Sequence, residues 1–200
     1  MVCTPGILSL MNSVEFSTKA GTLEILSTIL QTASIAPLVK CKGTSWYKNP
    51  KQELSNIKGE FGDKRLIVRS SCKSEDNHYS SQAGAYLSIL NVTTDKLESA
   101  IKNVFESYKH EPEQEEVLIQ PMLENVIMSG VVFSHDPNTG SPYRLITWTE
   151  GNNTTEVTGG RGGKTWQHAA LSPIKAPVIL RPVVTMIEEI LEIFKNQPVD

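Results

Sequence analysis

Two hundred residues, 39% of them hydrophobic and 20% charged, suffice for one large globular domain or two small ones with an unstapled core. A net charge of -3 leaves no basic surplus to draw the chain onto nucleic acid or an anionic membrane. Cys3, Cys41 and Cys72 are odd in number, widely spaced and free of any CxxC pair, which argues against a disulfide framework or a zinc site and for a reducing cytoplasm.

No Lys or Arg precedes Lys19, so the charged start of a signal peptide is missing, and no apolar run reaches membrane length. The sequons at Asn91-Val-Thr and Asn152-Asn-Thr would suit a secreted β-rich interaction domain, and compartment separates that reading from a cytoplasmic one.

In chain order, Thr22 to Ala33 places Leu23, Leu26, Ile29, Leu30 and Ala33 at helical spacing, and Pro37 ends the helix. Leu38 to Lys64 reads as a short strand, a turn and a short helix around Glu53 to Ile57. Leu66 to Arg69 and Ile89 to Val92 read as strands. Asp95 to Tyr108 is an amphipathic helix, with Thr94 or Asp95 as its cap. The EPEQEE run, residues 111–116, reads as an acidic solvated loop. VLIQPML, SGVVFSHDP and YRLITWTE follow in quick succession and read as antiparallel strands joined by tight turns. A glycine-rich loop, TEVTGGRGGKT, precedes a last helix from Pro182 to Phe194.

The glycine-rich loop invites a phosphate-binding reading, but a Walker A loop needs a glycine five positions before Gly163-Lys-Thr, and Thr158 stands there. A surface hairpin and a mobile cover for phosphates remain the two readings of this loop. The stretch VRSSCKSEDNHYSSQAGAYLSILNV, from Val68 to Val92, is more informative. It sets Arg69 at the end of an apolar strand, followed by small hydroxyls and one Ala-Gly. A guanidinium there is costly unless paired or facing a ligand, and its planar fork suits two phosphate oxygens. Pairing with Glu75 or Asp76 is the structural alternative. Cys72, beside Lys73, is either a reactive thiol or an inert filler. His78, His110, His135 and His168 lie in polar surroundings with no metal spacing and read as surface residues.

VRSSCKSED…SSQAGAYLSILNV resembles the nucleotide-binding domain shared by phosphoenolpyruvate synthase and pyruvate phosphate dikinase, where Arg-Ser-Ser, Glu-Asp, Ser-x-Ala-Gly and Leu-Asn-Val follow in that order. VLIQPMLENVIMSGVVFSHDPNTG is similar to the family's later segment, in which Gln-x-Met precedes Ser-Gly-Val-x-Phe and Asp-Pro-x-Thr-Gly. STKAGTLEIL is similar to its opening Gly-Gly-Lys-x-x-x-Leu. Together the three matches span Lys19 to about Gly140 in family order.

The resemblance implies an α+β fold of the ATP-grasp type, with mixed or antiparallel sheets, flanking helices and ATP held between two lobes. It implies that Lys19 and Arg69 are catalytic and grip the phosphates. Gly84 and Ser88 would line a loop over them, and Gln120 and Met122 would border the adenine. The implied activity is transfer of a phosphoryl group from ATP to a histidine on another domain and then to an acceptor; a nucleotide- or enolpyruvate-binding module without catalysis is the alternative. The phosphohistidine and barrel domains are absent from this chain, and neither a nucleic acid nor a membrane partner is expected. Where the family carries Gly-Leu-Gly-Glu after its hairpin, WTEGNNTTEVTGGRGG stands here, which leaves the acceptor open. The family's last helix is followed by a strand beginning Asp-Ile-Glu, whose glutamate holds Mg²⁺. The resemblance therefore puts the metal ligands beyond Asp200 and assigns none within the 200 residues. On that reading residues 1–200 are the N-terminal part of the domain, with sub-lobes of about 1–110 and 111–200. They are expected to be inactive alone and prone to self-association, including homodimers.

Overall fold

The computed structural model describes residues 14–72, 87–108, 111–151 and 162–200. Its elements are α1 (Lys19–Ile29), β1 (Val39–Lys42), α2 (Gly43–Lys48), α3 (Pro50–Phe61), β2 (Leu66–Ser71), β3 (Ser88–Val92), α4 (Leu97–Ser107), β4 (Glu116–Pro121), β5 (Met128–Phe133), β6 (Tyr143–Glu150), β7 (Lys164–Ala169) and α5 (Arg181–Ile193). All strand pairs are antiparallel: four strands run in the order β1-β4-β2-β3, and a second sheet runs β5-β6-β7. This is the expected α+β class with flanking helices.

The described residues divide into two compact units. The first comprises Phe16–Ile29 and Ser34–Leu123 and holds the four-stranded sheet. The second comprises, of the described residues, 14–15, Leu30–Ala33 and Glu124–Asp200 and holds the three-stranded sheet.

In the first unit, cross-strand partners share a face of the sheet. Val68 pairs with Ile119, Ser70 with Val117, and Cys41 with Val117. This face is apolar and buries its side chains against α4, whose Ile101, Val104 and Phe105 are fully buried. Phe105 gathers Trp46 at 6.2 Å and Tyr108 at 6.1 Å between ring centroids. The opposite face carries Ile67, Arg69 and Ser71 of β2 beside Gln120, Leu118 and Glu116 of β4. Here α1 lies against β4, and Ala20, Leu26 and Leu118 are buried.

Local chemistry explains the boundaries that differ from the sequence reading. α1 begins at Lys19 rather than Thr22, because the Thr18 hydroxyl accepts the Gly21 N–H at 3.1 Å as an N-cap, and it ends at Ile29, well before Pro37. The short helix expected around Glu53 to Ile57 runs from Pro50 to Phe61, capped by the Asn49 side chain and closed by Gly62 at φ 59°. α2 was not foreseen; Gly43 opens it where a Cβ would lie 2.2 Å from the Pro112 carbonyl oxygen. α4 starts at Leu97 without a side-chain cap, so neither Thr94 nor Asp95 serves as one.

The largest departure concerns VLIQPML. It does not pair with SGVVFSHDP but lies between β1 and β2 in the other sheet. β5 and β6 do form the expected hairpin. Asp136 accepts the Asn138 and Thr139 N–H groups at 2.9 and 2.8 Å, and Gly140 takes φ 68°. Part of the glycine-rich loop lies outside the described residues, and the chain from Lys164 is a strand. α5 carries Pro182 in its first turn and buries Ile187 and Leu191.

Candidate nucleotide-binding face

The second face of the four-stranded sheet gathers most of the residues singled out from the sequence. β2 is antiparallel to both neighbours, and its register sets Arg69 opposite Ser88 of β3 and Leu118 of β4. Ile67 stands opposite Gln120. Side chains two residues apart on a strand point the same way, so Arg69, Ser71, Ser88 and Gln120 share this face. Arg69 is half-buried and Ser88 exposed.

Lys19 reaches the same face by way of its neighbours. The Ala20 N–H donates to Ser71 Oγ at 2.9 Å, and the Thr18 hydroxyl donates to Glu116 Oε1. The residue between these anchors is thereby held beside the end of the strand that bears Arg69, 50 positions away in sequence. Gly21 packs close to the cap: a Cβ would sit 2.7 Å from Ser17 Oγ and 3.1 Å from Thr18 Oγ1. What results is a face that carries Arg69 and the exposed Ser88, with the N-terminus of α1 and Lys19 beside it. These are the groups that hold a polyanion.

Gln120 lies at the far end of β4, and Met122 follows it just past the strand. Gln120 is 9% exposed, and its side-chain amide donates to the Ala36 carbonyl at 3.1 Å. The Met122 N–H donates to the Arg65 carbonyl at 2.8 Å. Gly84 lies outside the described residues.

Three readings of individual residues change. Glu116, taken as part of a solvated acidic run, is part-buried and accepts from Thr18 and, at 3.3 Å, from the Ser71 hydroxyl. No sequence signal marks it, since its partners are 98 and 45 residues away. Cys72 is 1% exposed, which removes the access that a reactive thiol needs. Cys41 is fully buried, and burial foremost, with the Glu53 carboxylate adding to it, pushes its thiol up to about 12.

In the second unit, His168 is half-buried. It stacks on Trp166 with ring centroids 5.1 Å apart and planes 7° off parallel. It lies in a pocket of about 420 Å³ that also touches Arg144, Lys175, Arg181 and Glu188. Arg144, 7% exposed, donates from Nε and Nη2 to the two Glu188 oxygens at 2.7 and 3.0 Å, and from Nη1 to the Ser134 carbonyl at 2.6 Å. His135 meets the Ser134 hydroxyl at 2.9 Å; His78 and His110 lie outside the described residues.

Residues 44–162, more than half of the chain, match the family described as pyruvate phosphate dikinase, AMP/ATP-binding domain. The chain belongs to this family. The match runs from α2 through β6 and includes Arg69, Ser88, Gln120 and Met122; Lys19 precedes it. The chain is similar to a solved protein, PH1788 from Pyrococcus horikoshii Ot3, with 18% identity and a TM-score of 0.41 over 76% of this chain. It spans 56% of the length of that protein. No curated protein matches it. Among the described residues no helix is long and apolar enough to cross a membrane.

Proposed function

We propose that the chain is the ATP-binding module of a phosphoenolpyruvate-synthase-like phosphotransferase, with Lys19 and Arg69 holding the phosphate chain of ATP. Family membership supports an ATP-binding domain. The observation that carries the residue assignment is the pair of hydrogen bonds from Thr18 and Ala20 to Glu116 and Ser71, which set α1 beside the Arg69 strand. In phosphoryl transfer the charge spreads over the transferring oxygens, so two fixed cations act by position and field. Arg69 offers a fork for two oxygens, and Lys19 offers a point charge at the N-terminal end of a helix. Ser88, opposite Arg69, adds a hydroxyl donor. Gln120 and Met122 border the adenine, with Gln120 steadied by Ala36.

ATP of this kind is used with Mg²⁺, which neutralises charge between phosphates. Among the described residues no three His, Cys, Asp or Glu side chains stand together to hold such an ion, and no step above runs through one. In this reading the phosphoryl group passes from ATP to a histidine on another domain and then to an acceptor. The setting is cytoplasmic, and the chain self-associates.

Titration calorimetry with Mg-ATP on the intact chain and on Lys19→Met tests the assignment. Removing one charge-assisted contact should weaken binding by ~1.5–3 kcal/mol, roughly 10- to 100-fold, with the melting temperature nearly unchanged. Equal affinity in the two proteins would overturn the role given to Lys19, and no binding by the intact chain would overturn the function.

A further inference from the structure

We infer that Glu116 is a positioning residue that sets the spacing between Lys19 and Arg69, an inference that rests on the nucleotide reading of this face. The first turn of a helix leaves N–H groups without partners inside the helix. In α1, two of them are met by hydroxyls: the Ala20 N–H by Ser71 Oγ at 2.9 Å and the Gly21 N–H by Thr18 Oγ1 at 3.1 Å. A hydroxyl rotates freely and has one proton, so it accepts reliably only when that proton is committed elsewhere. Glu116 commits both. An ionised carboxylate can only accept, and its Oε1 takes the proton of Thr18 and, at 3.3 Å, that of Ser71. Both hydroxyls are thereby turned with their lone pairs toward the helix.

The main chain of the same residue carries a second tie. The Tyr108 hydroxyl donates to the Glu116 carbonyl at 2.6 Å and accepts the Ser71 N–H at 3.0 Å. Ser71 is fully buried and Thr18 is 9% exposed, so these bonds form where water competes little. Lys19 lies between the two anchored residues, Thr18 and Ala20, and Arg69 lies two residues before Ser71 on the same face. Glu116 belongs to neither element, yet it joins them. Its effect on ATP goes through Lys19 and not through contact with the nucleotide.

The test compares Glu116→Ala, Glu116→Gln and Thr18→Val in the intact chain, by Mg-ATP calorimetry and by amide hydrogen exchange in the first turn of α1. Glutamine keeps an accepting oxygen, so Glu116→Gln should stay within about twofold of wild type in both readouts. Glu116→Ala and Thr18→Val should speed exchange of Ala20 and Gly21 about tenfold and weaken ATP binding by about 5- to 10-fold. In the Glu116→Ala background, Lys19→Met should cost less affinity than in wild type, because the lysine is already misplaced. A merely structural glutamate would leave that cost unchanged, and such a result would sink the inference. Unaltered exchange in both disruptive variants would sink it too; Thr18→Val keeps this readable if Glu116→Ala does not fold. If the wild-type chain bound no Mg-ATP, the functional reading would fall and the positioning role with it. Faster exchange would then support the hydrogen-bond tie alone.

Discussion

Arg69 and Arg144 each sit on an antiparallel strand, one in each unit, and each pairs across to a strand neighbour with a polar side chain, Ser88 for Arg69 and His168 for Arg144. Their surroundings diverge beyond that. Arg144 is 7% exposed, with both Glu188 oxygens and the Ser134 carbonyl around its guanidinium. It ties α5 to the β6 strand and to the turn after β5. Arg69 is half-buried, on a face that also holds Ser71, Ser88 and the start of α1. An arginine whose fork is filled by its own fold contributes stability and specificity of packing. Arg69 stands on the face proposed here for ATP, beside the N-terminus of α1. The sequence motif around Arg69 has no counterpart around Arg144, so the difference has a correlate in the chain as well as in space.

The sharpest way to break this comparison is to remove Arg144's partner. Glu188→Ala leaves a buried guanidinium with one carbonyl. Because Glu188 is itself 48% exposed, water will fill part of the gap, and the loss should be ~2–3 kcal/mol instead of the larger cost of a fully buried pair. Thermal unfolding followed through Trp148 and Trp166 should show it, with Mg-ATP affinity unchanged. Arg69→Met should do the reverse: ATP binding weakened by ~1.5–3 kcal/mol in calorimetry and the melting temperature almost unmoved. A large fall in stability with unaltered affinity would make Arg69 a second Arg144.

Two glycines allow a finer test of how independent the units are. A Cβ on Gly43 would lie 2.2 Å from the Pro112 carbonyl oxygen, and one on Gly130 would lie 2.4 Å from that of Thr147. Both obstacles are backbone, so Gly43→Ala and Gly130→Ala should each cost ~1–3 kcal/mol. Gly43→Ala should be reported by Trp46 in the first unit and Gly130→Ala by Trp148 in the second. Loss of both signals together in either variant would show that the units unfold as one.

The smallest effect is alkaline. The Cys41 thiol in the first unit is pushed up to about 12, chiefly by burial, above its ordinary value of 9.0. A raised thiol value means that the unfolded chain loses its proton first. Stability is therefore whole below pH 9 and declines as pH rises toward 12, by about 1 kcal/mol or less over the first unit of pH. The second unit has no cysteine among Leu30–Ala33 and Glu124–Asp200 and should lack this term. Denaturant unfolding at pH 8 and pH 10, read at Trp46 and at Trp166, would show whether the two units separate in this way.

Much of this architecture was legible in the chain. Helical spacing found α1, α4 and α5, because the face each buries is written in every third or fourth residue. Apolar, β-branched and aromatic content marked β2 and β6, and the Asp-Pro-Asn-Thr-Gly turn marked the β5–β6 hairpin, because an aspartate that accepts its own following N–H groups is a local device. The Arg-Ser-Ser stretch and the segments after it pointed to the family. Partner choice among strands was not legible. β4 is followed closely by β5, yet it pairs with β1 and β2, since its apolar face is completed by Val68 and Cys41, not by the next strand. Nor was the docking of the start of α1 on β2 and β4, which rests on bonds spanning 51 and 98 residues. Glu116 read as one more charge in a solvated acidic run. Burial and hydrogen-bond partners decide what a charge does, and both are set by residues distant in sequence that only the folded chain brings within 3 Å.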